Sequence, residues 1–250
     1  MKDKIVLITG ASGGIGAVMT KQFADIGSAI IIHYNSNRNG AEKLLTEIPD
    51  NNHMIVGGDL GDSNIVKNIV DSVIEKYGRI DVLINNAGTA IKHPIENVDY
   101  EAWQKSWNAT IQTNLIGPAN LTYLTAKEMV KMGGGKVINI SSRGAFRGEP
   151  SQPAYGASKA GLNAMGQSLA VALAPKKVYI YTIAPGFVET AMARPYMKGD
   201  FKKDVMSQSP LGRVAKPEEI AKTAVFLASE GTDFLTGCII DVNGASYLRS

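Results

Sequence analysis

The stretch Ile5-Val6-Leu7-Ile8-Thr9-Gly10-Ala11-Ser12-Gly13-Gly14-Ile15-Gly16 decides the fold. Its apolar start is typical of a strand buried on both faces. A glycine turn and a helix start after such a strand place backbone N–H groups and a positive helix end where they bind phosphate. The pattern G-x-x-x-G-x-G therefore indicates a dinucleotide site, although a helix-entry turn without a ligand also fits it. The candidate phosphate-binding residues are Gly10, Ser12, Gly14, Ile15 and Gly16.

The rest of the chain alternates short apolar runs with helix-length segments. The predicted strands are residues 5–8, 29–32, 54–56, 82–84, 137–140, 178–183 and 238–242. Strand and helix in alternation predict an α/β fold, a doubly wound parallel sheet with helices on both faces. Because no linker, repeat or low-complexity tract interrupts the pattern, we expect one Rossmann-type domain over residues 1–250.

Residues 187–216 form the one irregular region of the sequence. They hold Pro195, Gly199, Pro210 and Gly212, and Pro217 is a good first residue for the helix that follows. A long insertion before a helix is typical of a lid over a substrate. We therefore predict a lid here, with Phe187, Tyr196 and Met197 as candidate apolar contacts.

Composition excludes several classes of protein. The chain has 250 residues, 44% hydrophobic and 20% charged, with a net charge of +3, so disorder is not expected and nucleic acid is a poor match. No apolar stretch is long enough to span a membrane, and because the N-terminal apolar run has only five residues, we do not expect a signal peptide. A single cysteine, Cys238, fits a reducing compartment, and we expect a cytoplasmic protein. Three scattered histidines indicate no metal site.

The end of the second strand bears on the choice of cofactor. An acidic residue there would bond the ribose hydroxyls of NAD, but Tyr34, Asn35, Ser36 and Arg38 occupy this segment. Small polar residues and an arginine suit a 2′-phosphate. The segment predicts a preference for NADP(H), with NAD(H) left open, although Arg38 also fits a solvated residue at a helix start.

Tyr155 and Lys159 stand four residues apart in a segment, 154–174, that is predicted to be a helix, so they share a face. A lysine cation favours the phenolate, so we expect Lys159 to lower the pKa of Tyr155 from its usual value near 10. Such a pair alone also fits an ordinary surface. However, Ser142 ends the fifth strand and residues 85–88 end the fourth, at the sheet edge where ligands bind.

Together these motifs resemble the short-chain dehydrogenase/reductase family. The resemblance rests on residues 9–16, 85–88, 155–159 and Pro185-Gly186, and on the thirteen residues from Ser142 to Tyr155. It covers almost the whole chain. Residues 107–115 and 236–244 are most similar to 3-oxoacyl-[acyl-carrier-protein] reductases.

The resemblance implies a sheet order of 3-2-1-4-5-6-7, a homotetramer or dimer, and a role for each matched residue. Tyr155 would exchange a proton with the carbonyl oxygen, and Ser142 would hydrogen-bond that oxygen. Lys159 would lower the pKa of Tyr155 and hold the nicotinamide ribose, and Asn114 would hold a water that links Lys159 to solvent. The other implied cofactor residues are Asp59 and Leu60 at the adenine, Asn86, Ala87 and Gly88 along the cofactor, and Pro185, Gly186, Val188 and Thr190 at the nicotinamide.

The leading hypothesis is an NADP(H)-dependent oxidoreductase for a small carbonyl or alcohol substrate, most similar to a 3-oxoacyl-[acyl-carrier-protein] reductase. A sugar or polyol dehydrogenase is the alternative within enzymes, and a cofactor-binding regulator without catalysis is the alternative outside them. Gly13 stands where many NADP-using members carry Arg or Lys, which weakens the NADP preference. Arg143 and Arg147 follow Ser142 and fit either attraction of an anionic substrate or ordinary solvated residues.

Overall fold

The computed structural model describes residues 1–49, 52–191, 193, 203 and 205–249. Its strands form one parallel sheet in the order β3-β2-β1-β4-β5-β6-β7, which confirms the predicted fold class and strand order. The strands are β1 Ile5–Ile8, β2 Ala29–Tyr34, β3 Met54–Gly57, β4 Val82–Asn85, β5 Gly135–Ile140, β6 Val178–Pro185 and β7 Ile239–Val242.

Helices cover both faces of this sheet. The described helices are α1 Gly14–Asp25, α2 Arg38–Glu47, α3 Ser63–Tyr77, α4 Tyr100–Ile111, α5 Gly117–Lys131, α6 Pro153–Leu173 and α7 Pro217–Ala228. Alternate residues of β1 point to opposite faces. Val6 and Ile8 join a core cluster with α1, α2 and α7, whereas Leu7 joins a second cluster with α3, α5 and α6. Within the described residues, no helix has both the length and the apolar composition that a membrane span requires.

The parallel register brings the predicted motifs to one edge. Ile8 pairs with Ile32 on one side and with Ile84 on the other, and Ile140 pairs with Ile183. Because every strand runs in the same direction, the segments that follow these positions leave the sheet side by side. The glycine loop, the turn after β4, Ser142 and the Pro185 turn therefore share the carboxyl edge.

The structure extends several predicted boundaries. The helix predicted at 154–174 spans Pro153–Leu173, and β2 and β6 run on to Tyr34 and Pro185, so both site candidates lie in strands. In the predicted lid, Val188 forms a parallel bridge with Ala215, which joins the two ends of the region. Pro195, Tyr196, Met197 and Gly199 lie outside the described residues.

Asp81 provides a test of how β1 and β4 are joined. It is 8% exposed, and its carboxylate accepts a hydrogen bond from the Ile5 N–H at 2.9 Å and pairs with Lys4 and Arg79. We expect Asp81→Ala to lower the free energy of unfolding by about 2 kcal/mol or more, since it leaves the buried N–H of Ile5 without an acceptor. The measurement is urea unfolding. In the matched control Asp71→Ala, which removes an exposed pair with Lys67, the loss should stay below about 1 kcal/mol. Equal losses would contradict this account.

Candidate active site

The glycine loop after β1 is shaped by close backbone contacts. Gly10 and Gly14 have φ angles of 62° and 54°, in the left-handed region that favours glycine. A Cβ on Gly10 would lie 2.9 Å from the Ala87 Cα, and one on Gly16 would lie 2.7 Å from the Asn86 Nδ2. The loop therefore presses directly against the turn that follows β4.

Thr9 and Asn86 join these two turns through hydrogen bonds. The Thr9 hydroxyl accepts from the backbone N–H groups of Asn86 and Ala87, each at 2.9 Å, and donates to the Ile84 carbonyl at 3.2 Å. The Asn86 amide donates to the carbonyls of Thr9 at 2.8 Å and Gly10 at 3.2 Å. The role of the Thr9 side chain was not predicted, although its place before Gly10 was the available signal.

His33 links the glycine loop to the end of β3, and it too was absent from the predicted site. It is 1% exposed; its Nδ1 accepts from the Gly10 N–H at 3.1 Å, and its Nε2 lies 3.0 Å from the Gly58 carbonyl. Burial lowers the pKa of His33, while the bond to Gly58 opposes this. The ring is therefore neutral, with its proton on Nε2 donated to Gly58. A polar residue ending a buried strand was the signal in the sequence.

The start of α1 has the features of an anion site. Within the described residues, no side chain caps this helix N-terminus and no acidic residue lies in its first turn. A Cβ on Gly13 would meet nothing within 4 Å in the described chain, so space lies open beside the loop. The Asn37 amide fixes the Ser12 carbonyl at 3.0 Å. Free helix N–H groups and open space fit the pyrophosphate of a dinucleotide.

The residues predicted for the adenosine end lie along the edges of β2 and β3. Asn35, Ser36 and Arg38 are exposed, and Tyr34 is half-buried. Arg38 begins α2, and its Nε donates to Glu42 at 2.8 Å, so a 2′-phosphate would compete with this carboxylate. Asp59 is exposed and Leu60 is buried.

Ser142 and Tyr155 meet at the end of β5. Ser142 caps a short turn, its hydroxyl accepting from the Gly144 N–H at 3.0 Å. Tyr155 lies in the first turns of α6 and is half-buried, and the Ser142 side chain is near enough to lower the pKa of its phenol. The two hydroxyls predicted to contact a carbonyl oxygen thus lie near each other.

Lys159 lies one helical turn after Tyr155. It is 4% exposed, its ammonium donates to the Ile140 carbonyl at 2.8 Å, and Nζ lies 5.9 Å from the Tyr155 ring centroid. Burial lowers the pKa of Lys159 to about 8. A Cβ on Gly88 would lie 3.5 Å from Nζ, so Gly88 keeps the space beside the ammonium free of a side chain.

The pKa of Tyr155 is raised, and Lys159 is not among the groups that shift it, so the lowering expected from Lys159 stays a prediction. Burial raises the pKa of Tyr155, the charge of Glu149 adds to this, and the hydrogen bond from Ser142 opposes it. The physical reason is that the phenol is desolvated, while the Lys159 ammonium is bonded to the Ile140 carbonyl rather than to the phenol oxygen. Tyr155 is therefore a protonated acid at neutral pH.

Asn114 lies in a π-helical turn, Gln112–Ile116, between α4 and α5. Its Oδ1 accepts from the Thr89 N–H at 2.8 Å, and its Nδ2 donates to the Thr89 carbonyl at 2.9 Å and the Ser158 hydroxyl at 3.1 Å. The side chain thus ties the turn after β4 to α6. Such turns are frequent at functional sites.

The segment after β6 completes the site. A Cβ on Gly186 would lie 3.0 Å from the Asn243 Cα, so Gly186 permits β6 and the end of β7 to approach. A Cβ on Gly14 would lie 3.5 Å from the Thr190 Cγ2. The structure therefore brings Thr190 to the glycine loop. Pro185 and Val188 are buried.

Comparisons with known proteins find relatives that match nearly the whole chain. A family model described as Enoyl-(Acyl carrier protein) reductase matches residues 10–245. The chain is 36% identical to a 3-oxoacyl-[acyl-carrier-protein] reductase FabG of Thermotoga maritima, covering 98% of both chains. It is 37% identical to an uncharacterized oxidoreductase of the same organism, over 100% of this chain and 98% of the relative. A solved structure, the crystal structure of gox2181, has a TM-score of 0.90 at 27% identity, covering 98% of this chain and 96% of that one.

The buried Lys159 ammonium predicts a pH-dependent stability. Its pKa is about 8 in the folded chain, against 10.5 for an unperturbed lysine, so the unfolded chain binds more protons between these values. The free energy of unfolding of the wild type therefore rises as the pH rises through this interval. Lys159→Met should have the higher free energy of unfolding at low pH, and this difference should fall by up to about 3 kcal/mol across the interval. Urea unfolding from pH 7 to 10.5 measures both chains. Parallel stability curves would contradict the assignment.

Proposed function

Because this chain belongs to the short-chain dehydrogenase/reductase family and is an NAD(P)-dependent oxidoreductase, we propose that it reduces a ketone with NADPH, as a 3-oxoacyl-[acyl-carrier-protein] reductase does. The observation that carries the proposal is the hydroxyl pair of Ser142 and Tyr155, with the Lys159 ammonium beside it. This pair lies at the same sheet edge as the glycine loop. The name of the Thermotoga maritima relative supports the 3-oxoacyl substrate class.

In the proposed reaction, the carbonyl carbon would receive a hydride from NADPH bound along residues 10–16 and 185–190. Tyr155 donates its phenolic proton to the carbonyl oxygen, so the ketone gains one hydride and one proton and becomes an alcohol. The Ser142 hydroxyl donates a hydrogen bond to the same oxygen as negative charge develops on it. The phenol of Tyr155 is protonated at neutral pH, as a proton donor in the reduction must be.

Lys159 stabilises the phenolate that Tyr155 becomes. With a pKa near 8, the ammonium is largely charged at neutral pH, and it lies against the phenol ring. The same group would hold the nicotinamide ribose, because the space beside Gly88 leaves Nζ open. Asn114 would hold a water that links Lys159 to solvent, and a proton from solvent would pass through Lys159 to the phenolate and restore Tyr155.

NADP(H) is the proposed cofactor. Its pyrophosphate would bind at residues 10–16, its adenine at Asp59 and Leu60, and its nicotinamide at residues 185–190, with Asn86, Ala87 and Gly88 between them. The 2′-phosphate would lie over the exposed Asn35, Ser36 and Arg38. The uncapped N-terminus of α1 supports this placement.

We propose one domain over residues 1–250 with a lid at 187–216, since a single sheet joins all the described strands. A homotetramer or dimer is proposed as well. Apolar side chains on exposed helix faces, Tyr123 of α5 at 62% exposure and Val171 of α6 at 81%, support association. The single cysteine, Cys238, supports a cytoplasmic location.

Tyr155→Phe tests the proton donor. The ring still packs, but the transferable proton is lost, so kcat should fall by about 10² to 10⁴ while cofactor affinity stays within a few fold. NADPH oxidation is followed with 3-oxoacyl, sugar and aromatic ketones. Tyr123→Phe, an exposed tyrosine on α5, is the control. A mutant with more than about a tenth of wild-type kcat would remove Tyr155 from the mechanism, and better turnover of sugars or polyols would favour the alternative dehydrogenase.

Arg38→Ala tests the cofactor preference. A charge-assisted contact to a 2′-phosphate contributes roughly 10- to 150-fold in affinity. Because Glu42 competes for Arg38, we expect kcat/KM for NADPH to exceed that for NADH by roughly 10-fold. Arg38→Ala should remove most of this preference. The control is Lys43→Ala, which removes another exposed cation of α2. An unchanged ratio in Arg38→Ala would show that this segment does not bind the phosphate.

A further inference from the structure

Two arginines converge on one amide oxygen directly after Ser142. Arg143 is 5% exposed, and its terminal nitrogen donates to the Gln208 Oε1 at 2.5 Å. Arg147 donates to the same oxygen at 3.1 Å. The Arg143 guanidinium also lies over the Phe187 ring, 4.8 Å from its centroid. A guanidinium has five N–H donors, so Gln208 satisfies only a small part of what Arg143 offers.

Neither arginine forms an ion pair with any residue in the described part of the chain. Burial lowers the pKa of Arg143 to about 10, the charge of Arg147 adds to this, and Glu149 opposes it from beyond pairing distance. By contrast, Arg213 forms two hydrogen bonds to the Glu219 carboxylate, at 2.7 and 2.8 Å. A buried cation without an anion is strongly unfavourable, and a second cation beside it increases the penalty.

Arg143 lies between two segments that carry predicted site residues. It directly follows Ser142 in the chain, and its guanidinium lies against Phe187, which directly follows Pro185 and Gly186. A cavity of about 60 Å³ borders both Arg143 and Phe187. This volume is well above the ~10–15 Å³ that one water needs. The free donors of Arg143 therefore have room for a small polar group.

We infer that Arg143 and Arg147 bind an anionic group of the substrate, a carboxylate or phosphate carried a few bonds from the reacting ketone. The planar guanidinium of Arg143 matches such a group with two parallel hydrogen bonds, and the Gln208 amide gives way to it. The inference rests on the proposed reduction and narrows its substrate. In a 3-oxoacyl substrate, the anion would stand on the acyl chain, on the side of the ketone opposite the thioester.

Matched substrate pairs test the inference. The carboxylate arm compares the N-acetylcysteamine thioesters of 3-oxoadipate and 3-oxohexanoate, which have equal acyl length and differ in a terminal carboxylate. The phosphate arm compares dihydroxyacetone phosphate with dihydroxyacetone. We expect the wild type to prefer the charged member of at least one pair in kcat/KM, and Arg143→Gln to reduce this preference by about 10- to 150-fold. Arg143→Gln should reduce the neutral member of each pair at nearly the wild-type rate.

Two further variants separate charge recognition from structural damage. Gln208→Glu places a carboxylate where the substrate anion would bind, so it should raise the melting temperature and yet lower kcat/KM for the charged member alone. Arg213→Gln removes a cation from the same cavity wall that is already paired with Glu219, and it should leave the preference unchanged. An unmoved preference in both Arg143→Gln and Gln208→Glu, or a wild type that prefers the neutral members, would overturn the inference.

A binding measurement distinguishes failure of this inference from failure of the proposed reduction. Adipate and inorganic phosphate are titrated separately into the wild type and Arg143→Gln, and heat of binding is recorded. If no ketone is turned over, the proposed function fails, and the titration alone decides the role of Arg143. Binding of either anion to the wild type that Arg143→Gln loses supports the inference; absent or equal binding overturns it.

Discussion

The hydrogen bonds of Thr9 and Asn86 across β1 and β4 are the constraint on which the site depends. They draw the glycine loop so close to the turn after β4 that Gly10 and Gly16 have no room for a side chain. That turn continues to Gly88, beside the Lys159 ammonium. These hydrogen bonds therefore fix two proposed parts of the site relative to each other: the glycine loop, proposed to bind the phosphates, and the turn beside Lys159.

The site contains buried positive charges that a protein selected only for stability would avoid. Lys159 and Arg143 are both nearly inaccessible, and burial lowers the pKa of each. Neither forms an ion pair with a described residue. In the proposed reaction each buried cation gains a negative partner. The partner of Lys159 is the phenolate of Tyr155, and the partner of Arg143 is the substrate anion.

The sequence predicts the strands and the sheet edge at which the motifs meet. The order of the strands in the sheet was predictable only from the family resemblance. Runs such as Ile5–Ile8 are apolar at every position because both faces of a parallel sheet are covered, and this pattern is local. The roles of Thr9 and His33 were not predictable, because each bonds a loop that is distant in sequence. The raised pKa of Tyr155 was not predictable, since a four-residue spacing shows which charge is near but not how much water is excluded.

The central claim is that this chain moves a hydride to a ketone carbon while Tyr155 supplies the proton. The most direct measurement uses NADPH carrying deuterium at both hydride positions of the dihydronicotinamide, with a 3-oxoacyl thioester and mass spectrometry of the product. The account predicts a hydroxyacyl product with one deuterium on the carbon that bore the ketone, and a hydroxyl hydrogen that exchanges with water. A reduced product without deuterium on that carbon, or no reduced product with any ketone tested, would contradict it.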